Sequence, residues 1–120
     1  MLKIAVEDRK KKIMLDPSKS KMYILVKDTT PAGLAINAAA HASLSTYLYY
    51  SKSEIMKAWL DNSFKKVVCK VNEVEFEQAK TFGVLFRVIT ESSLNNAEIA
   101  LCFMPMTEFP KFFKHLKLYK

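Results

Sequence analysis

The sequence predicts an α/β protein, a mixed and largely buried sheet with helices packed on its faces, in the order β-α-(α)-β-α-β-β-α. Three observations carry this. Four runs rich in β-branched and aromatic residues have strand length: "MYILV" (22–26), "KVVCKV" (66–71), "LFRVI" (85–89) and "EIALCFM" (98–104). Helix-start signals fall between most of them, which favours strands separated by helices. Half of the 120 residues are hydrophobic, enough for the core of one domain in a chain too short for two.

Taken in order, residues 1–21 contain "RKKK" and "DPSKS" and read as a basic N-terminal arm or, through "LKIAV", as a short edge strand. Such an arm either touches nucleic acid or is simply a solvated segment. The domain proper is expected over 22–120. After the first strand "KDTT" makes a turn, with Thr30 as N-cap and Pro31 at the first helical position of a helix over 31 to about 50. A second helical piece covers 53–60, capped by Ser53. The strand at 66–71 leads to a helix over 74–82, with Gly83 as its stop signal. "TESSLNN" is a turn or loop between the last two strands. Thr107 then caps a final helix in which Phe109, Phe112, Phe113 and Leu116 recur on one stripe.

Composition narrows the function classes. A net charge of +7 favours an anionic partner, nucleic acid first, although a lysine-rich surface also serves solubility alone. Arg9 and Arg87 are the only arginines, so contacts to RNA are expected at phosphates rather than at base edges. No apolar run reaches the roughly 18 residues of a membrane span, and the N-terminus lacks the apolar core of a signal peptide. A soluble, cytoplasmic protein is expected, with no membrane partner. Cys69 and Cys102 stand far apart without a CxxC or a Cys/His cluster, and read as packed thiols. Neither a metal site nor a cofactor is expected.

The unusual stretch is "TTPAGLAINAAAHASL" (29–44). Alanines at 35, 38, 39, 40 and 42 make a thin helix, which sits close to a sheet. On that helix Leu34, Ala38, His41 and Ser45 fall on one side, flanked by Asn37, Leu44 and Leu48. Close packing does not account for Gly33, which costs a helix about 1 kcal/mol relative to Ala. A glycine in the first turn leaves the backbone N–H groups open to an anion or a carbonyl oxygen.

The strand "MYILVKD", the opening "PAGLAINAAAHA", the strand "KVVCKV", the acidic residue in "ITESSLNNAEIAL" and the ending "FFKHLKLYK" come in one order. In that order they resemble type II peptidyl-tRNA hydrolases over residues 21–120, most of all the branch that lacks the usual helix-opening lysine. The resemblance implies a three-layer α/β/α sandwich with a four-stranded mixed sheet. It also implies a substrate, the ester joining a peptide to the 3′ end of tRNA. Residue by residue, Gly33 matches the family glycine and Leu34 stands where the family has lysine. Ala38 replaces a glutamine, with Asn37 adjacent. His41 matches the family histidine, Glu91 the acidic loop position, and Lys27 and Asp28 the polar pair after the first strand. The rest of the acidic loop is replaced by Ser92, Ser93, Leu94 and Asn95.

The resemblance and the residue chemistry together nominate Glu91, His41 and Lys27 as catalytic, and Gly33, Asn37, Asp28 and Leu34 as lining the substrate site. Glu91 is placed to orient water against an ester carbonyl, or it is an ordinary loop glutamate. His41 donates to a developing oxyanion or binds ribose, or it is a satisfied core histidine. Lys27 supplies the missing cation, or forms a plain surface pair with Asp28. Losing one preorganised electrostatic group costs about 10²–10³ in rate, which a hydrolase survives if another cation fills the space. Ser43, Ser45 and Ser92 lack the pattern of a nucleophile elbow, so a covalent serine route is not expected. Three classes stay open: an esterase acting on peptidyl- or N-blocked aminoacyl-tRNA, a non-catalytic binder of tRNA or another anionic ligand, and a relative that kept only the fold. A homodimer is compatible with each of them.

Overall fold

The computed structural model describes residues 4–7 and 12–120, with side chains from Asp16 onward. Strands β1 (Ile4–Glu7) and β2 (Lys12–Leu15) form an antiparallel two-stranded sheet of their own, so the "LKIAV" segment is no edge of the main sheet. The "RKKK" run falls mostly outside the described residues. Pro17–Lys19 make a single 3-10 turn, with the Asp16 carboxylate accepting from the Ser18 N–H at 3.0 Å.

The main sheet is built from β3 (Lys21–Lys27), β4 (Lys65–Val71), β5 (Phe86–Glu91), β6 (Ala97–Phe103) and β7 (Lys117–Leu118), in the order β5-β6-β3-β4-β7. β3 and β4 run parallel, joined through helices α1 (Ala32–Tyr49) and α2 (Glu54–Asn62), and the other neighbours are antiparallel. Five strands form this sheet where four are expected. The additional strand is the two-residue β7, which pairs Lys117 and Leu118 with Lys70 and Cys69. A two-residue strand carries no apolar run, and only its pairing defines it.

Met22 to Val26 of the central strand are all buried, as a strand covered on both faces requires. Met22, Ile24 and Val26 pack with Ala35, Ala38 and Ala42 of α1 and with Met56 and Trp59 of α2. Tyr23 and Leu25 pack with Phe76 and Ala79 of α3 (Glu73–Ala79), and with Phe109, Phe113 and Leu116. The period of two along one strand therefore serves two hydrophobic clusters. Trp59 is buried and its indole N–H donates to the Lys65 carbonyl at 2.9 Å, tying α2 to the start of β4. Cys69 and Cys102 are free and buried, and burial pushes their thiols up to about 11 and about 12. Both are protonated at neutral pH and packed as small hydrophobes. Among the described residues no helix is long and apolar enough to cross a membrane.

Helix ends depart from expectation at three places. α1 opens with Pro31 itself as the N-cap residue, without a side-chain cap, and the buried Thr30 hydroxyl has no partner. The last helix, α4, is only Lys111–Lys114 and opens at Pro110 rather than Thr107: Met106 is held in a bridge to Lys21, the chain bends at Thr107, and Phe109 is buried before the helix begins. α3 begins one residue before the expected start because Asn72 and Glu75 form a reciprocal capping box, at 2.8 and 2.9 Å. It ends at Ala79, and Gly83 follows at φ 78, turning the chain toward β5. Ser53 caps α2 as the sequence predicts, accepting from the Met56 N–H.

These caps give a direct comparison. Asn72→Ala is expected to lower unfolding free energy by about 1 kcal/mol. Thr30→Val should cost nothing measurable, since it removes a buried hydroxyl that bonds to nothing. Urea denaturation of both variants decides it: an equal loss in the two would restore Thr30 as a cap.

Candidate functional site

α1 lies across β3, β6 and β5, and the residues it turns to the sheet are Ala35, Ala38, Ala42 and Thr46. This stripe lies one position round from the side that the sequence suggests, and it leaves His41 exposed rather than in the core. Asn37 and His41, one turn apart, flank the alanines on the side of the edge strand β5. The end of β5 supplies Glu91, which is the last strand residue rather than a loop residue. Between them lies a cleft of about 250 Å³ lined by Asn37, His41, Thr90, Glu91, Ser92 and Asn96, floored by Ala38, Ile89 and Ile99.

Two backbone irregularities shape the cleft. The register between β5 and β6 shifts after Ile89, pairing Ile89 with Ala100 but Thr90 with Glu98, so Ile99 is an extra residue. Ile99 and Ala100 accordingly both join the cluster under α1. Bulges of this kind bend an edge strand and re-aim its side chains. Beyond Glu91, Ser92–Leu94 form a 3-10 turn, and Asn95 and Asn96 take left-handed conformations with φ 56 and 59. Asparagine tolerates that region better than most residues, and the Asn96 N–H returns to the Glu91 carbonyl at 3.0 Å.

Glu91 caps this turn. Its Oε2 accepts from the Ser93 N–H at 3.0 Å and from the Ser93 hydroxyl at 2.7 Å. These two donors, the backbone one first, hold its carboxyl below the ordinary glutamate range. Glu91 is thus ionised at neutral pH with one oxygen committed, while Oε1 makes no hydrogen bond to the described residues. A carboxylate so stabilised is a weak proton acceptor and a good water-orienting one.

The other nominated residues lie elsewhere. Lys27 Nζ pairs with Glu73 at 3.0 Å and sits 4.5 Å from the centre of the Phe76 ring, on the α3 side of the sheet. Asp28 is exposed, and its N–H donates to the Val71 carbonyl at 2.7 Å. Gly33 is exposed and Leu34 half-buried in the first turn of α1. A Cβ at Gly33 would meet nothing within 4 Å, so no close approach by the protein itself demands glycine there. The structure brings together Asn37, His41 and Glu91, and does not bring Lys27, Asp28, Gly33 or Leu34 to line the same cleft.

Sequence reasoning missed a neighbour. A second cleft, of about 390 Å³, shares His41 with the first and is lined by Leu44, Ser45, Leu48, Tyr49 and Arg87. The guanidinium carbon of Arg87 lies 4.0 Å from the centre of the Tyr49 ring. Its Nε is buried without a partner, which costs about 1–3 kcal/mol where nothing else compensates. The available signal was rarity, since Arg87 is one of two arginines, and the only one among the described residues. Among the described residues no three His, Cys, Asp or Glu side chains gather as metal ligands.

A family model described as peptidyl-tRNA hydrolase PTH2 matches residues 20–119. No curated protein matches the chain.

Two predictions isolate the groups just described. Gly33→Ala is expected to raise stability by about 0.4–1 kcal/mol in urea denaturation, the space being open. A loss of stability instead would show that the backbone there needs glycine. Ser93→Ala should move the titration midpoint of Glu91 upward toward the ordinary value, since one of two donors to the ionised form is lost. Carbon-detected NMR of the side-chain carboxyl reads this, and an unmoved midpoint would contradict the capping geometry.

Proposed function

The chain belongs to the type II peptidyl-tRNA hydrolase family, and on that premise we propose that it hydrolyses the ester of peptidyl- or N-blocked aminoacyl-tRNA at the cleft between α1 and β5. The reading rests on one observation: Asn37, His41 and Glu91, from two elements far apart in the chain, line a single cleft. Water held by Oε1 of Glu91 attacks the ester carbonyl; Glu91 orients it and takes its proton as the new C–O bond forms. As the acyl bond to the 3′-oxygen breaks, that proton passes to the departing oxygen, leaving the peptide acid and a free 3′-hydroxyl. His41 and the Asn37 amide donate to the oxygen on which negative charge develops, where fixed donors act most strongly. Lys27, held by Glu73, takes no part. We take α1 and α2 on one face of the sheet and α3 on the other as the family's α/β/α layering, with this cleft on the α1 face.

Leu34, in the place of the family's lysine, favours a second reading, in which the cleft binds an RNA end or small anionic ligand without turnover.

Purified protein incubated with N-blocked aminoacyl-tRNA separates the two. Release of the blocked amino acid is expected, with Glu91→Gln slower by about 10²–10⁴-fold and Lys27→Met unchanged. Wild-type turnover indifferent to Glu91→Gln would sink the assignment of Glu91. Salt-sensitive tRNA binding without turnover would establish the second reading.

A further inference from the structure

We propose that the Arg87–Tyr49 cleft seats a backbone phosphate at the 3′ end of an RNA ligand, with a neighbouring base against the exposed Tyr49 ring. The proposal takes only the identity of the ligand from the hydrolase reading. The guanidinium carbon of Arg87 sits over the Tyr49 ring, a contact that uses none of its N–H donors; Nε is buried, and the two terminal nitrogens are the ones left to a ligand. The three ion pairs among the described residues use Lys27 and Lys80, so no carboxylate neutralises Arg87. The terminal nitrogens of this unneutralised guanidinium match the two free oxygens of a phosphodiester.

The rest of the cleft suits a nucleotide. Tyr49 is 63% exposed and is held by an edge contact with Tyr50 at 4.9 Å, so its ring is a positioned platform. Leu44 and Leu48 add an exposed apolar wall, and Ser45 a hydroxyl. Bases stack on such aromatic faces without sequence preference. His41 lines both this cleft and the one holding Glu91, so a phosphate here lies beside the proposed ester site. The many lysines attract RNA from any direction, while Arg87 gives its end a fixed seat.

The test is binding of deacylated tRNA by the full chain across a salt series, which requires no turnover. Arg87→Gln is expected to weaken binding about tenfold and to reduce the slope of log K against log salt by about 1. Arg87→Lys should keep the slope and still lose affinity, because charge remains while fork and stack are gone. Tyr49→Leu, a change of an exposed side chain, should weaken binding with the slope unaltered, and it carries the test if Arg87→Gln does not fold. Wild-type affinity and slope in Arg87→Gln, or wild-type affinity in Tyr49→Leu, overturn the proposal. Arg87-dependent binding without hydrolysis by the wild type would keep it and remove the hydrolase reading. Glu91-dependent hydrolysis with Arg87-independent binding would do the reverse.

Discussion

The contact of Ala35, Ala38 and Ala42 with the sheet is the constraint on which the rest of the structure depends. Side chains of one carbon let α1 lie close to β3, β6 and β5 at once, and burial of Met22, Ile24, Val26 and Cys102 beneath it follows. Interiors pack at crystal-like density, so larger residues on this stripe would lift the helix or strain its neighbours. The same closeness serves the cleft. Residues that flank the stripe, Asn37 and His41, come level with the end of β5 only because the helix is low on the sheet. The alanine-rich composition is therefore a packing device whose by-product is a polar seam along one edge.

That edge is where the sheet is least regular. β5 is an outer strand, and Val88 on it and Leu85 just before it remain exposed. A bulged residue opposite, a capped 3-10 turn after Glu91 and two left-handed asparagines return the chain in a tight arc. Each feature costs regular pairing. Together they present Thr90, Glu91, Ser92 and Asn96 toward α1, where an uninterrupted strand would alternate them between two faces. Ser93 then fixes the charge state of Glu91 through donors that belong to the turn itself.

Much of this was legible in residues. "MYILV" and "KVVCKV" announce strands, since β-branched runs of that length have few other uses; the first is the buried central strand, and the second lies beside it, partly buried. Ser53 was legible as a cap because its hydroxyl precedes an acidic first turn. Thr30 looks the same by type and fails, since Pro31 has already turned the chain and the hydroxyl ends buried. β7 was illegible for the opposite reason, two residues whose only structural content is a partner far away in sequence. In the candidate cleft, Glu91 and His41 could be nominated by type and order. Their meeting depends on how α1 crosses the sheet, and a bulge at Ile99 leaves no local trace in "AEIAL".

The cation is the hardest part to read from sequence, and the structure changes where to look for it. With Leu34 in the helix opening, the nearest lysine in the sequence is Lys27, at the end of β3. Strand geometry sends Lys27 to the α3 side, where Glu73 neutralises it and Phe76 covers it. Arg87 lies more than fifty positions from Leu34 in sequence. Its neighbour in the alternation of β5, Ile89, belongs to the cluster beneath α1, so Arg87 points to the same face as that helix. There it meets Tyr49 at the far end of α1, about four turns from the position the lysine would occupy. A cation so distant from the helix opening cannot take over the same contact with a reacting carbonyl. On the proposed reading it holds a different part of an extended anionic ligand, so that the loss of the lysine would bear on chemistry and Arg87 on placement.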